Sequence, residues 1–189
     1  MKGVKDMRLA VITVGKTHSG KTIFARTLEQ GLPNSLMIDQ DNHAEFINTF
    51  YNTLQPKQHP NTLKYAVSQT IVDYAVNQTN LHLIISNSNR KRKDRFELLK
   101  QFHEKGFISI LVHFNFPDHI LQTRVTESQR STNILRSASN FEEVLNRQQT
   151  DTLKEEVSDP KEGEADHLFV VEDNEEVESV IQRIIRIAQ

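Results

Sequence analysis

The segment Gly15-Lys16-Thr17-His18-Ser19-Gly20-Lys21-Thr22 constrains this chain most, because it matches G-x-x-x-x-G-K-[ST] where that pattern has mechanical meaning. An apolar run, Leu9-Ala10-Val11-Ile12-Thr13-Val14, leads into it as a buried strand. Ile23, Phe24, Ala25 and Leu28 follow at helical spacing. Strand, tight loop and helix in that order turn the loop amides and the helix N-terminus toward one point, where they can surround a polyphosphate. The whole loop, Gly15 through Thr22, is the expected nucleotide cradle: Lys21 would reach the β- and γ-phosphates, and the Thr22 hydroxyl would ligate Mg²⁺. The bland alternative is a strand-turn-helix carrying a chance Gly-Lys-Thr. Lys16, Thr17 and His18 occupy the loop centre in place of glycines, so Lys16 and His18 are predicted to point outward or to adopt unusual backbone angles.

Four more apolar runs read as strands: 35–38, 81–85, 107–114 and 167–171. Helix-length amphipathic stretches separate them, at about 20–30, 42–53, 60–78, 92–105, 118–129, 140–150 and 174–188. This alternation predicts an α/β fold, a five-stranded parallel sheet with helices on both faces. Gly31 and Pro33 end the first helix and Gly106 ends the fourth. The charged stretch Pro160 to Asp166, which contains Gly163, is the expected flexible loop.

With 189 residues, 37% of them hydrophobic, the chain can bury one substantial core, so residues 1–189 are read as one domain. It has no cysteine, which removes disulfides and thiolate metal sites. No apolar run approaches a membrane span, and Met1–Asp6 leads into no apolar signal core; the chain is read as cytoplasmic and free of the membrane. A net charge of −2 argues against a general nucleic-acid binder, although an acidic C-terminal third can hide a basic site elsewhere. Oligomeric state is not legible, beyond the lack of a long heptad pattern. The histidines show no ligand spacing; His82 and His113, inside strands, read as core or edge residues.

Ligands of such sheets bind beyond the carboxyl ends of the strands. After the second strand comes Asp39-Gln40-Asp41, two carboxylates of which one could accept a proton from an attacking hydroxyl and one could hold the water shell of Mg²⁺. Helix capping competes with both roles, with Asp41 as the N-cap and Asp39 in a turn. After the third strand come Ser86-Asn87-Ser88-Asn89 and then Arg90-Lys91-Arg92-Lys93. Ser86 takes the place of a metal-organising aspartate, leaving charge compensation to Asp39 or Asp41. The basic run is a solvated helix start or, through Arg90 or Arg92, a grip on an anionic acceptor. The arginine-rich stretch at about 126–140 reads as a lid, with Arg130 and Arg136 placed to stabilise a transferring phosphoryl group. Arg124 and Arg147 are weaker candidates. Phe46, Phe50, Tyr51, Tyr65 and Tyr74 could stack on a base, but at helical spacing they read first as core.

Taken in order, these motifs over most of residues 8–187 resemble the small AAA-type P-loop kinases, the group of polynucleotide kinases, zeta toxins and chloramphenicol phosphotransferase. Gln40-Asp41 resembles the family's Ser/Thr-Asp after the second strand, which implies Asp41 as the substrate-hydroxyl base. Ser86 followed by Ser88-Asn89 is similar to its aspartate and Thr-Asn pair, and Phe116-Pro117 through Arg124 to its fourth-strand exit. The resemblance implies ATP and Mg²⁺ as cofactors, metal contacts from Thr22, Asp39 and Ser86, and an adenine-proximal close at residues 166–187. Ser86, His43 and the missing loop glycine depart from the pattern. The expected activity is transfer of the γ-phosphate of Mg-ATP to a hydroxyl or phosphate of a small molecule or nucleotide. A nucleic-acid 5′ end stays open without being favoured. The alternative is a nucleotide-binding regulatory or interaction module with no acceptor. A GTPase lacks its D-x-x-G and N-K-x-D signatures here, and an ABC-type ATPase its L-S-G-G-Q.

Overall fold

The computed structural model describes residues 7–54, 62–135 and 138–189. Five strands, β1 (Arg8–Gly15), β2 (Ser35–Ile38), β3 (His82–Ile85), β4 (Phe107–Phe114) and β5 (His167–Val171), form one parallel sheet in the order β2-β3-β1-β4-β5. Parallel strands need crossovers, and the helices α1 (Lys21–Gly31), α2 (Gln40–Phe50), α3 (Thr62–Gln78), α4 (Arg92–Glu104), α5 (Asp118–Thr126), α6 (Phe141–Asp151) and α7 (Glu176–Ile187) supply them. The chain winds to one side of β1 through β2 and β3, then to the other through β4 and β5. That reversal opens a crevice at the carboxyl end of β1, where the glycine-lysine loop lies.

Alternation along β1 sorts the two halves of the core. Leu9 and Val11 share a cluster with Phe24 and Leu28 of α1, Leu145 of α6 and Ile184 of α7. Ala10, Ile12 and Val14 turn to the opposite face, with Val72 and Val76 of α3 and Leu99 and Phe102 of α4. A strand covered on both sides must be apolar throughout, which is why this run lacks alternation in sequence. Each large side chain buried here contributes about 1.5–3 kcal/mol.

Differences from the sequence reading lie at ends and surfaces. The second helix starts at Gln40, two residues early, and ends at Phe50, before a single 3-10 turn at Asn52–Leu54. The fifth stops at Thr126 rather than near 129. The stretch 160–166 is tied down, not loose: Glu164 pairs with the fully buried Arg95 at 2.9 Å, and Asp166 accepts hydrogen bonds from the Ser109 backbone and hydroxyl, both at 2.8 Å. Phe46, Phe50, Tyr51, Tyr65 and Tyr74 are not core; all are exposed, with Phe50 at 69% and Tyr74 at 67%. Helical spacing alone could not separate a buried face from an outer one here, because Ala44 and Ile47 already supply the inward face of α2. His82 and His113 are buried, and His82 Nδ1 accepts the Leu9 N–H at 3.0 Å. Among the described residues no helix is long and apolar enough to cross a membrane.

Candidate active site

The loop begins at Gly15, whose φ of +154° and surroundings require glycine: a Cβ there would stand 2.9 Å from the Phe114 carbonyl oxygen. The Gly15 N–H donates to Ser88 O at 3.0 Å, fastening the loop to the segment after β3. His18 is the loop residue that takes the left-handed conformation, at φ +57°, while Lys16 keeps a negative φ. The His18 ring is held by its surroundings. It shares hydrogen bonds with Thr17 Oγ1 at 3.0 Å and Ser128 Oγ at 2.8 Å, and it packs edge-on against Phe141 with centroids 4.8 Å apart. Burial and the nearby positive charges of Arg130, Lys21 and Arg124 push its pKa down to about 4, so the ring is neutral at pH 7.

Lys21 folds back over the loop, donating to Lys16 O and to Ser19 Oγ at 3.1 Å. Burial pushes its pKa down to about 8; Asp41 and Asp39 oppose the shift, while Arg130 and Arg90 add to it. Both carboxylates and Arg130 are therefore close enough to act electrostatically on the lysine. At Gly20, φ +94°, α1 starts without any side-chain cap. Its first N–H groups are left for another acceptor, which suits an anion.

The carboxylates divide the labour differently from the capping reading. Asp39, not Asp41, is the N-cap of α2: its Oδ1 accepts the Asp41 N–H at 2.8 Å, and its Oδ2 accepts the Thr22 hydroxyl at 3.2 Å. Asp39 is only 3% exposed, and that burial raises its pKa. Ser86 is buried beside it, its N–H donating to Ile38 O at 2.9 Å, while its Oγ has no hydrogen-bond partner among the described residues. Asn87 closes the gap by accepting the Gln40 N–H at 3.2 Å. Mg²⁺ dehydrates reluctantly and takes few protein ligands. A threonine hydroxyl, one buried carboxylate and a buried hydroxyl seeking a partner fit such an ion with its waters. Among the described residues no group of three histidine, aspartate or glutamate side chains could hold a metal by itself.

Asp41, freed from capping, pairs with Arg130, in the segment after α5, at 2.8 Å, and the Arg130 guanidinium lies 5.2 Å from the Phe141 ring centroid. Asn48 of α2 donates to Asn133 O, in a short 3-10 turn at Thr132–Ile134, so this segment rests on α2. Arg136 lies outside the described residues. Arg124, ranked low from sequence, reaches the loop: it donates to His18 O at 3.2 Å and Asn174 at 3.0 Å and covers the Phe116 ring at 4.2 Å. Gln148 of α6 had no sequence signal, yet its Oε1 accepts the Thr17 N–H at 2.6 Å. The basic run is engaged with protein. Arg90 donates to Gln148 O at 2.8 Å and Thr152 Oγ1 at 2.5 Å, Lys91 pairs with Glu156, and Lys93 with Glu97. Arg92 lies over Phe96 and 3.9 Å from Glu164.

A sequence profile of the AAA domain family matches residues 11–155. The chain belongs to the AAA domain family. Its fold is shared with several solved structures. Kti12 of Chaetomium thermophilum, solved with ADP-AlF3, is 16% identical, with a TM-score of 0.63 over 95% of this chain and 99% of that one. The APS kinase CysC of Mycobacterium tuberculosis, in complex with AMPPNP and APS, is 13% identical, with a TM-score of 0.60 over 96% and 98%. Shikimate kinase of Bacteroides thetaiotaomicron is 15% identical, with a TM-score of 0.56 over 95% and 97%. Among curated proteins none is significantly similar in sequence. This AAA domain thus has the P-loop NTPase fold that those small kinases share.

Proposed function

We propose that this AAA domain is an ATP-dependent phosphotransferase, a single kinase-like domain with its lid at about 126–140, acting in the cytoplasm on a hydroxyl or phosphate acceptor. The observation that carries the reading is the meeting of Asp41 and Arg130, 89 residues apart in sequence, both charges acting on the half-buried Lys21 ammonium. A base, a mobile-length cation and a phosphate-binding lysine at one crevice are the parts a phosphoryl transfer needs, since its catalysis is positioning and electrostatics.

Arg130 pairs with Asp41, and Lys21 donates to Lys16 O and Ser19 Oγ. The triphosphate competes for both cations. Lys21 moves to the β- and γ-phosphates, Arg130 turns to the γ-phosphoryl oxygens, and the Asp41 carboxylate is released to accept a proton. The acceptor O–H gives its proton to Asp41 while its oxygen bonds to the γ-phosphorus. The bond from that phosphorus to the β–γ bridging oxygen breaks, and ADP leaves with those electrons. Mg²⁺, when bound with ATP, would be held by Thr22 with Asp39 and Ser86 on its water shell, and would neutralise phosphate charge.

The test is ADP release from Mg-ATP across nucleosides, nucleotides, 5′-hydroxyl oligonucleotides, sugars, vitamins and antibiotics, with Lys21→Ala as blank. An acceptor that lifts turnover well above the blank establishes the kinase and its substrate class. Silence across the panel with ATP still bound replaces it with the non-catalytic nucleotide-binding module.

A further inference from the structure

One peptide group of the loop is gripped from both sides. The carbonyl of Lys16 accepts from Lys21 Nζ, and the N–H of Thr17, the other end of the same peptide group, donates to Gln148 Oε1 at 2.6 Å. Lys21 is the lysine that reaches the outer phosphates of a nucleotide. Gln148 grips the loop one peptide group from where that lysine rests, and does so from a different element.

Its placement is built from behind. The Gln148 carbonyl accepts from Arg90 at 2.8 Å, and Arg90 also holds Thr152 Oγ1, so the middle and end of α6 are fixed to the segment after β3. Arg90 is in turn set by the buried Arg95, which donates to the Arg90 carbonyl at 3.3 Å and to Asn89 O at 3.1 Å while paired with Glu164. At the start of α6, Phe141 packs on His18 of the same loop. The carboxamide of Gln148 is thus oriented by a chain of contacts, with Oε1 committed to Thr17. Its Nε2 donor pair has no partner among the described residues.

We infer that Gln148 is a terminal-phosphate contact, its Oε1 fixing the Lys16–Thr17 peptide and its Nε2 donating to the γ-phosphoryl group. The inference rests on the reading of the loop as an ATP site. It assigns α6 a second function besides packing: distinguishing a triphosphate from a diphosphate with a neutral donor that adds to the charges of Lys21 and Arg130. A neutral carboxamide meets both demands at once, because it accepts from the backbone with one end and donates with the other. An arginine there has no acceptor for the Thr17 N–H, and a glutamate has no donor for phosphate.

The glutamate substitution separates the two ends. Gln148→Glu keeps an oxygen for Thr17 but turns an anionic oxygen toward the phosphate. Binding of AMPPNP and of ADP is measured by calorimetry for the wild type, Gln148→Glu, and Gln149→Glu as a control for added charge on the same helix, with thermal unfolding confirming the fold of each. The expected result is a loss of AMPPNP affinity of about 10- to 100-fold in Gln148→Glu, the range for a hydrogen bond to a charged group, with ADP affinity nearly unchanged. Gln149→Glu should leave both ligands as in the wild type. Equal losses for AMPPNP and ADP, or no loss for either, overturn the inference. A wild-type protein that binds neither nucleotide overturns the ATP-site reading itself, and the inference with it.

Discussion

The two walls of the crevice are made of different material. The loop wall is mostly backbone: a glycine with no room for a Cβ, a left-handed His18 and an uncapped helix start, with the one lysine side chain of Lys21, all within residues 15–22. The facing wall is held by side chains: Asp41 to Arg130 and Asn48 to Asn133, each joining segments 85 or more residues apart. A backbone site is specified by a short local pattern, whereas a side-chain site is specified only once the fold has brought distant residues together. The first wall should therefore fail abruptly when one residue changes, and the second should fail by degrees.

The sharpest break is expected at Lys21. Lys21→Ala should lower turnover by about 10²–10³-fold, the cost of one preorganised charge partner, and weaken ATP binding in parallel; ADP release and calorimetry check both. Next in size is a stability effect away from the loop. Glu164→Ala leaves the Arg95 guanidinium buried without its partner and should cost about 3–5 kcal/mol in denaturant unfolding, loosening Arg90 and α6 as it does so. At Gly15, alanine meets the Phe114 carbonyl and should cost about 1–3 kcal/mol, with loss of nucleotide binding.

The side-chain wall should give smaller effects. Asp41 and Arg130 are both partly exposed, so Arg130→Ala should move stability by no more than about 1 kcal/mol. If it lowers the ADP-release rate without changing the ATP dissociation constant, the two walls act separately; an equal fall in both would merge them. A separate effect concerns pH. The pKa of His18 is about 4 when folded, below its ordinary value near 6.5, and burial lowers His43, His82 and His113 in the same direction. The unfolded chain therefore takes up protons first, so stability is full above about pH 6.5 and declines as pH falls toward 4. Melting temperatures at pH 7.5 and 5.0 should show that drop. His18→Asn, which tolerates the left-handed backbone, should remove part of it.

That contrast also explains what could be read from the sequence. The strand-loop-helix at the first wall was legible because its residues are contiguous and its glycines have one conformational meaning. All five strands were legible as apolar runs, and the central three, β1, β3 and β4, are continuous because both their faces are buried. The capping alternative put Asp41 at the start of α2, since Asp39 and Asp41 are equally good caps in sequence; in the fold Asp39 takes the cap and also accepts the Thr22 hydroxyl. The aromatic residues of α2 and α3 were placed in the core because spacing carries no record of which face a sheet covers. Gln148 and Arg124 were missed or ranked low for the opposite reason. No local pattern marks a glutamine or an arginine that meets the loop across 131 or 106 positions.

The central claim is that one site binds ATP with its backbone wall and transfers phosphate with its side-chain wall. The most direct test is the Asp41→Asn protein, with ATP affinity measured by calorimetry and phosphate transfer to the acceptor found in the panel measured in parallel. The account predicts wild-type ATP affinity with transfer reduced about 10²–10⁴-fold, as expected when a general base is removed. Transfer at the wild-type rate by Asp41→Asn would contradict it.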